Sequence, residues 1–359
     1  MTDQRAVRFG YVGCGFMAQK VHLPNFSSIP GCELMALAEV RAGLRDRIAD
    51  RYRIPRRYSS HEEMARDPEI EAVAVSAGYA LQGQMARELL RAGKHVFMEK
   101  PMAVTVKDAE AILAASREGG GRLMVGYMKR YDVGNEVAKA AIDRFRENSE
   151  LGAVTYARNH GFCGDWIQNL DTPFERDPEP QPPSPEVGPD WMPNQFVSSY
   201  LGYLQQYTHN INLLRWFLGG DPTNCRVRAV DLRDGYSGIV SLEINGVQAV
   251  LESGSISYWG WEEHSQIYFR DGWVRVDAPA LLQKNQPAQV EIYRGGKAQS
   301  YERPLGQPVW SWSYRREAEH FIEQVRTGQS FRSGGEDTLA DVMLFEEIYR
   351  AYLGGRGVL

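Results

Sequence analysis

Cysteine is scarce in this chain: four among 359 residues, at Cys14, Cys32, Cys163 and Cys225, with no C-x-x-C pair. That spacing offers no disulfide framework and fits a reducing cytoplasm, where the protein is expected to work. No stretch approaches the roughly 20 uninterrupted apolar residues that span a bilayer. The opening "MTDQRAVRFGYVGCG" lacks the charged-then-apolar layout of a signal segment. Excess charge of one sign is missing too. Lysine and arginine number 41 against 46 acids, a net of −5, so neither nucleic acid nor an anionic membrane is an expected partner. The basic cluster from Arg41 to Arg57 is broken by Asp46 and Asp50 and reads as a solvated helix face. No serine-nucleophile motif, Walker loop or internal repeat is present. His160 and Cys163 have H-x-x-C spacing, but without a second ligand pair no metal site is expected.

The length favours two domains. Over residues 1–125 short apolar runs, "VRFGYVG", "ELMALAEV", "EAVAVSAG", "GKHVFMEKP" and "GRLMVGY", alternate with helical stretches such as "QMARELLRAG". Short buried strands separated by helices imply a parallel, doubly wound sheet. In 126–359 the rhythm changes. Asn245-Gly246, Asp271-Gly272 and Gly295-Gly296 each sit between alternating runs, a hairpin signal repeated three times. This half is expected to be a mainly antiparallel sheet with helices at about 196–218 and 312–327. A last helix at about 336–353 is expected to pack back on the first domain. Between them, Pro173 to Pro193 holds eight of the 18 prolines. Such a segment cannot form helix or sheet interior and reads as a long loop, a lid or spacer.

The motifs then supply chemistry. Gly13, Gly15 and Ala18, with Phe16 and Met17 between, have G-x-G-x-x-A spacing directly after the first strand. The glycines allow a tight turn and close approach of a pyrophosphate. Glu39 ends the second strand, where a carboxylate accepts hydrogen bonds from ribose hydroxyls and repels a 2′-phosphate. NAD is therefore expected over NADP, although Arg41 is positioned either to stack on adenine or to hold a phosphate. At Glu99-Lys100-Pro101 an apolar strand stops abruptly. Ligands of doubly wound sheets bind outside the carboxyl ends of the strands, so a restrained Lys100 there can bind a hydroxyl or exchange its proton. Glu99 either orients the ammonium or caps the strand; an ordinary surface lysine before a turn is the plain alternative.

In the second half, "SSYLGYLQQYTHNINLLRWFLGG" has helical periodicity and stops at Gly219-Gly220. Gln205, His209 and Asn212 form one polar stripe on it, which needs either a ligand cleft or buried structural partners. Trp166, Tyr258, Trp259 and Trp261 are candidates for stacking on sugar faces.

Taken in order, "GYVGCGFMA", "GKHVFMEKPMAVT", "GYMKRYDVG" and "HNINLLRWFLGG" resemble the glucose–fructose oxidoreductase / inositol dehydrogenase (Gfo/Idh/MocA) family over nearly the whole chain. The resemblance implies a Rossmann domain followed by a large open-faced sheet. It also implies a dimer or tetramer formed through one sheet face, and Lys100 beside the nicotinamide and the reacting carbon. His209 matches the family's general base, but Gln205 stands where an aspartate is usual, which leaves the imidazole less basic. Lys129 matches a basic residue that contacts the polyol, and Asn159 falls in a substrate-contact region, with Asp165 and Trp166 beside it in sequence. The expected protein is an NAD-dependent dehydrogenase oxidising a secondary hydroxyl of a sugar, glycoside or cyclitol. Two other readings stay open: an NADP-dependent ketoreductase of deoxy- or amino-sugar biosynthesis, and a cofactor-binding regulator without turnover. The inositol dehydrogenases are shorter between Asn159 and His209, so the proline-rich loop is expected to close over, or make room for, a substrate larger than a cyclitol.

Overall fold

The computed structural model describes residues 5–164, 166–167, 174–181, 183–256 and 260–359. The chain divides into two compact units after Gly126. The first also takes in the described residues of 174–190 and Tyr314–Val342, so it is discontinuous in sequence, where the sequence reading drew one cut at 125.

In the first unit strands and helices alternate: β1 (Val7–Val12), α1 (Leu23–Phe26), β2 (Cys32–Ala38), α2 (Ala42–Tyr52), β3 (Arg56–Tyr58), α3 (His61–Arg66), β4 (Ala72–Val75), α4 (Tyr79–Arg91), β5 (His95–Glu99), α5 (Val106–Gly119) and β6 (Leu123–Gly126). The six strands are parallel in the order β3-β2-β1-β4-β5-β6, a doubly wound sheet. Strands β4 and β6 are buried at every position, as expected for a sheet covered on both faces. Helix boundaries follow local chemistry. Thr105 caps α5 by accepting from the Asp108 N–H at 3.0 Å, and Gly120, at φ 75°, ends it.

The second unit opens with a 3₁₀ turn, Met128–Tyr131, and α6 (Val133–Asn148). It continues with β7 (Val154–Cys163), α7 (Val197–Leu218), β8 (Cys225–Leu232), β9 (Gly238–Ile244), β10 (Val247–Ser255), β11 (Glu262–Phe269), β12 (Gly272–Asp277), β13 (Gln289–Arg294) and β14 (Ser300–Glu302). These form one eight-stranded sheet in the order β14-β13-β12-β11-β7-β10-β9-β8. Every pairing is antiparallel except β7 with β10. Asn245 and Gly246 have φ 49° and 75°, the two positive angles a tight hairpin between β9 and β10 requires. The β11–β12 hairpin turns one residue earlier than its Asp271-Gly272 signal: Phe269 pairs with Gly272, leaving Arg270 and Asp271 as the turn. Two helices end the chain, α8 (Ser313–Thr327) and α9 (Gly335–Gly354). Tyr314 to Val342 belongs to the first unit and Met343 onward to the second. Among the described residues no helix is long and apolar enough to cross a membrane.

Candidate functional site

In the first unit, β1 delivers the chain to Gly13, whose φ is 99°. A Cβ here would lie 2.4 Å from the Ser76 carbonyl oxygen, so only glycine fits. Gly15 has open space around its missing side chain, which leaves its backbone approachable. Phe16 and Met17 are half-buried at the start of the following helical turns, and Ala18 is buried. Glu39, just past β2, accepts from the Cys14 N–H at 2.8 Å. It also receives Arg41 Nε at 2.9 Å and Nη2 at 3.0 Å, a bidentate pair. Burial pushes the Glu39 carboxyl up, but the hydrogen bonds from Arg41 and Cys14 outweigh it and hold the group below the usual carboxylate range. A cavity of about 330 Å³ is lined by Gly13, Cys14, Gly15, Glu39, Arg41 and Ser76, among others. An exposed peptide turn for phosphate and a carboxylate for ribose suit a nicotinamide dinucleotide.

Lys100 follows β5 at the carboxyl end of the same sheet and is half-buried. Its two peptide neighbours are clamped: Gln82 Nε2, buried on α4, donates to Glu99 O at 2.7 Å and to Pro101 O at 3.0 Å. The Lys100–Pro101 peptide is cis. The Glu99 carboxylate accepts from the Lys100 N–H at 3.1 Å and meets His22 Nε2 at 2.6 Å. These two contacts let the Glu99 carboxylate hold the strand end, one of the two roles open to it.

In the second unit the 3₁₀ turn carrying Lys129 is fixed by Asp132, which caps α6 and also accepts from the Ala288 N–H at 3.0 Å. The Lys129 ammonium is buried and paired with the Glu263 carboxylate. Asn210 Nδ2 bridges Asn159 Oδ1 at 2.6 Å and Glu263 Oε1 at 3.3 Å, while Asn159 Nδ2 donates to Ser265 Oγ at 2.8 Å. Glu263 Oε2, also buried, has no hydrogen-bond partner among the described residues. His209 is 3% exposed and stands edge-on to Tyr127, their rings 6.1 Å apart.

The expected stripe on α7 is divided. Asn212 is bound by Arg130 Nε at 2.7 Å, His209 is buried, and Gln205 is exposed. Trp166 and Trp261 are half-buried; Asp165, Tyr258 and Trp259 lie outside the described residues. Strand alternation puts His160 and Cys163 on opposite faces of β7. His160 meets Glu252 at 2.7 Å and Cys163 accepts from Gln206 at 2.8 Å.

Sequence reasoning missed Gln82, His22, Asn210, Ser265 and Glu263. For the last two a signal existed: Glu263, Ser265, Ile267 and Phe269 share one face of β11 by period two, and Ile267 and Phe269 are core. His22 and Gln82 carry no such mark, because their partners are backbone and side chains 77 and 17 residues away.

Residues 7–127 match the family model described as "Oxidoreductase family, NAD-binding Rossmann fold", GFO_IDH_MocA. The chain is 24% identical to an inositol 2-dehydrogenase of Rhizobium meliloti over 96% of each protein. Among solved structures it is similar to an aldose-aldose oxidoreductase from Caulobacter crescentus, with TM-score 0.74, 24% identity and coverage of 98% and 99% of the two chains. A 3-ketoreductase from Actinomadura kijaniata in complex with NADP matches with TM-score 0.69 and 21% identity over 97% and 98%.

Proposed function

We propose that the chain is a Gfo/Idh/MocA-type oxidoreductase and, within that class, an NAD-dependent dehydrogenase of a sugar, glycoside or cyclitol hydroxyl; the family match over residues 7–127 and the likeness to an inositol 2-dehydrogenase and to sugar oxidoreductases support the reading. The observation that carries the reading is Lys100. It stands at the carboxyl end of a strand in the sheet that bears the nucleotide cradle, with both adjoining carbonyls held by Gln82.

When bound, the nicotinamide supplies hydride acceptance from the carbinol carbon. The protein's own task is to hold the alcohol and take its proton. Lys100 binds the hydroxyl, and either Lys100 or His209 takes its proton. The Gln82 clamp limits the backbone freedom of Lys100, so the ammonium is preorganised. Lys129 and Asn159 position the ring through the network that Glu263 and Asn210 complete. Glu39, already an anionic acceptor beside the cavity, favours NAD. The second reading, NADP-dependent reduction of a keto-sugar, draws on Arg41, whose guanidinium lines the same cavity. The proposal includes a cytoplasmic homodimer or homotetramer joined through the eight-stranded sheet.

The test is NAD⁺ reduction, followed by absorbance, across cyclitols, free sugars and glycosides, with wild type and Lys100→Ala in parallel. Turnover lost in the variant supports the proposal. Turnover only with NADPH and keto-sugars replaces it by the second reading, and binding of nucleotide without any turnover by the regulator.

A further inference from the structure

The proline-rich segment lies along the nucleotide-binding unit. At its start, Phe174 sits 6.0 Å from the Phe16 ring, with Lys20 over its face. Glu175 exchanges two hydrogen bonds with the buried amide of Gln19: its N–H donates to Gln19 Oε1 at 2.7 Å and its carbonyl accepts from Gln19 Nε2 at 3.1 Å. Gln19 Nε2 also donates to Cys14 O at 2.8 Å, so one side chain ties the segment to the glycine turn. Arg47 and Arg51 of α2 pair with Asp177 and Glu175.

Further along, Gln181 and Ser184 line the 330 Å³ cavity itself. Ser184 Oγ lies 2.3 Å from where a Cβ on Gly78 would be, so the glycine before α4 makes room for it. Val187 then reaches α4 and α5, and Asp190 meets Lys107 at 3.3 Å.

This attachment is polar and shallow. The described residues from Pro178 to Val187 are all exposed, and Arg47 and Lys107 keep 44% and 82% of their side-chain surface. Little apolar area is lost when such a segment lifts, so it opens at low free-energy cost compared with global unfolding. Its prolines keep the detached chain extended, which lowers the entropy lost when it settles again. A segment walling the cavity, yet held by ion pairs to α2 and two hydrogen bonds to Gln19, has the properties of a gate.

We propose that residues 174–181 and 183–187 form a strap that closes the nucleotide site, so that the dinucleotide enters and leaves only when the strap lifts from α2. This rests on the reading of the cavity as a nucleotide site. It also gives the proline-rich insertion a role toward the cofactor, where the sequence alone suggested the substrate.

The test uses the full chain and NADH, with binding and release followed by stopped-flow fluorescence for wild type and Arg47→Ala/Arg51→Ala. Neither arginine lines the cavity. Loss of three exposed ion pairs is expected to speed both association and release about tenfold, with the equilibrium constant nearly unchanged. In wild type, 0.5 M NaCl (on the order of a 4 Å screening length) should speed release as well, and in the variant it should not. Rates equal in the two proteins and insensitive to salt overturn the strap while leaving the nucleotide site intact. Failure of NADH to bind either protein, by calorimetry as well as fluorescence, overturns the nucleotide reading itself and the strap with it.

Discussion

The Glu263 carboxylate and the Lys129 ammonium form a buried ion pair across 134 residues of chain, joining β11 to the 3₁₀ turn before α6. Both side chains are less than 10% exposed. Each charge therefore depends on the other, because neither has water to fall back on.

Glu263→Gln leaves the ammonium buried beside a neutral amide. Urea denaturation should report a loss of about 3–5 kcal/mol. Lys129→Met/Glu263→Leu, which removes both charges, should recover most of that loss while remaining inactive on any sugar the wild type oxidises. A double variant no more stable than the single one would show that packing, not the charge pair, sets the stability here.

Cofactor choice should turn on Glu39. Its carboxylate accepts from Nε and Nη2 on one edge of the Arg41 guanidinium. Glu39→Ser frees that cation for a 2′-phosphate and removes an acceptor for ribose hydroxyls. The ratio of kcat/KM for NADP to that for NAD should rise about 100-fold, roughly 2.7 kcal/mol of changed preference. An unchanged ratio would remove Glu39 from cofactor selection.

Gln82→Leu releases the carbonyls on both sides of Lys100 without touching the ammonium. If preorganisation is its role, kcat should fall about tenfold with KM for NAD little changed. A rise in KM for NAD at constant kcat would instead assign Gln82 to nucleotide binding.

Two histidines should make stability pH-dependent. His264 is held down to about 4 by burial and then by Arg275, Arg158 and His160; its Nε2 faces Arg158 Nη2 at 3.0 Å. His320 is held down to about 4 by burial and then Arg332, whose N–H donates to its Nε2 at 3.1 Å. The unfolded rings take a proton near 6.5, the folded ones only near 4, so between these values the unfolded state binds more protons. Stability should thus be full above pH 6.5, decline as pH falls toward 4, and gain no further loss from these rings below that. After allowance for solvent screening the effect is roughly 1 kcal/mol for each ring. Denaturation midpoints at pH 7 and 5, compared with His264→Gln/His320→Gln, check it; equal pH slopes would rule these rings out.

What was legible beforehand follows from the range of the interactions involved. The parallel sheet, the hairpin-rich second half and helix α7 rest on period, turn residues and caps, all encoded within a few positions. Gly13, Gly15 and Glu39 could be named because a strand, a glycine turn and a strand end follow one another closely in the chain. Gln205 shows where the same logic stops. Helical spacing put it in line with His209 and Asn212, yet a helix face is partly covered and partly open, and Gln205 fell on the open part.

By itself, then, the sequence determined the two sheet types, the glycine cradle and the position of Lys100 at a strand end, since local backbone preference and periodic burial dictate them. Only the tertiary structure decided that Glu263 neutralises Lys129, that Gln82 braces Lys100 and that Gln181 and Ser184 of the proline-rich segment line the cavity beside the glycine turn. Those depend on which distant residues the sheets and helices bring within hydrogen-bonding distance. A polar side chain's partner is a property of that packing, because burial makes remaining without one costly.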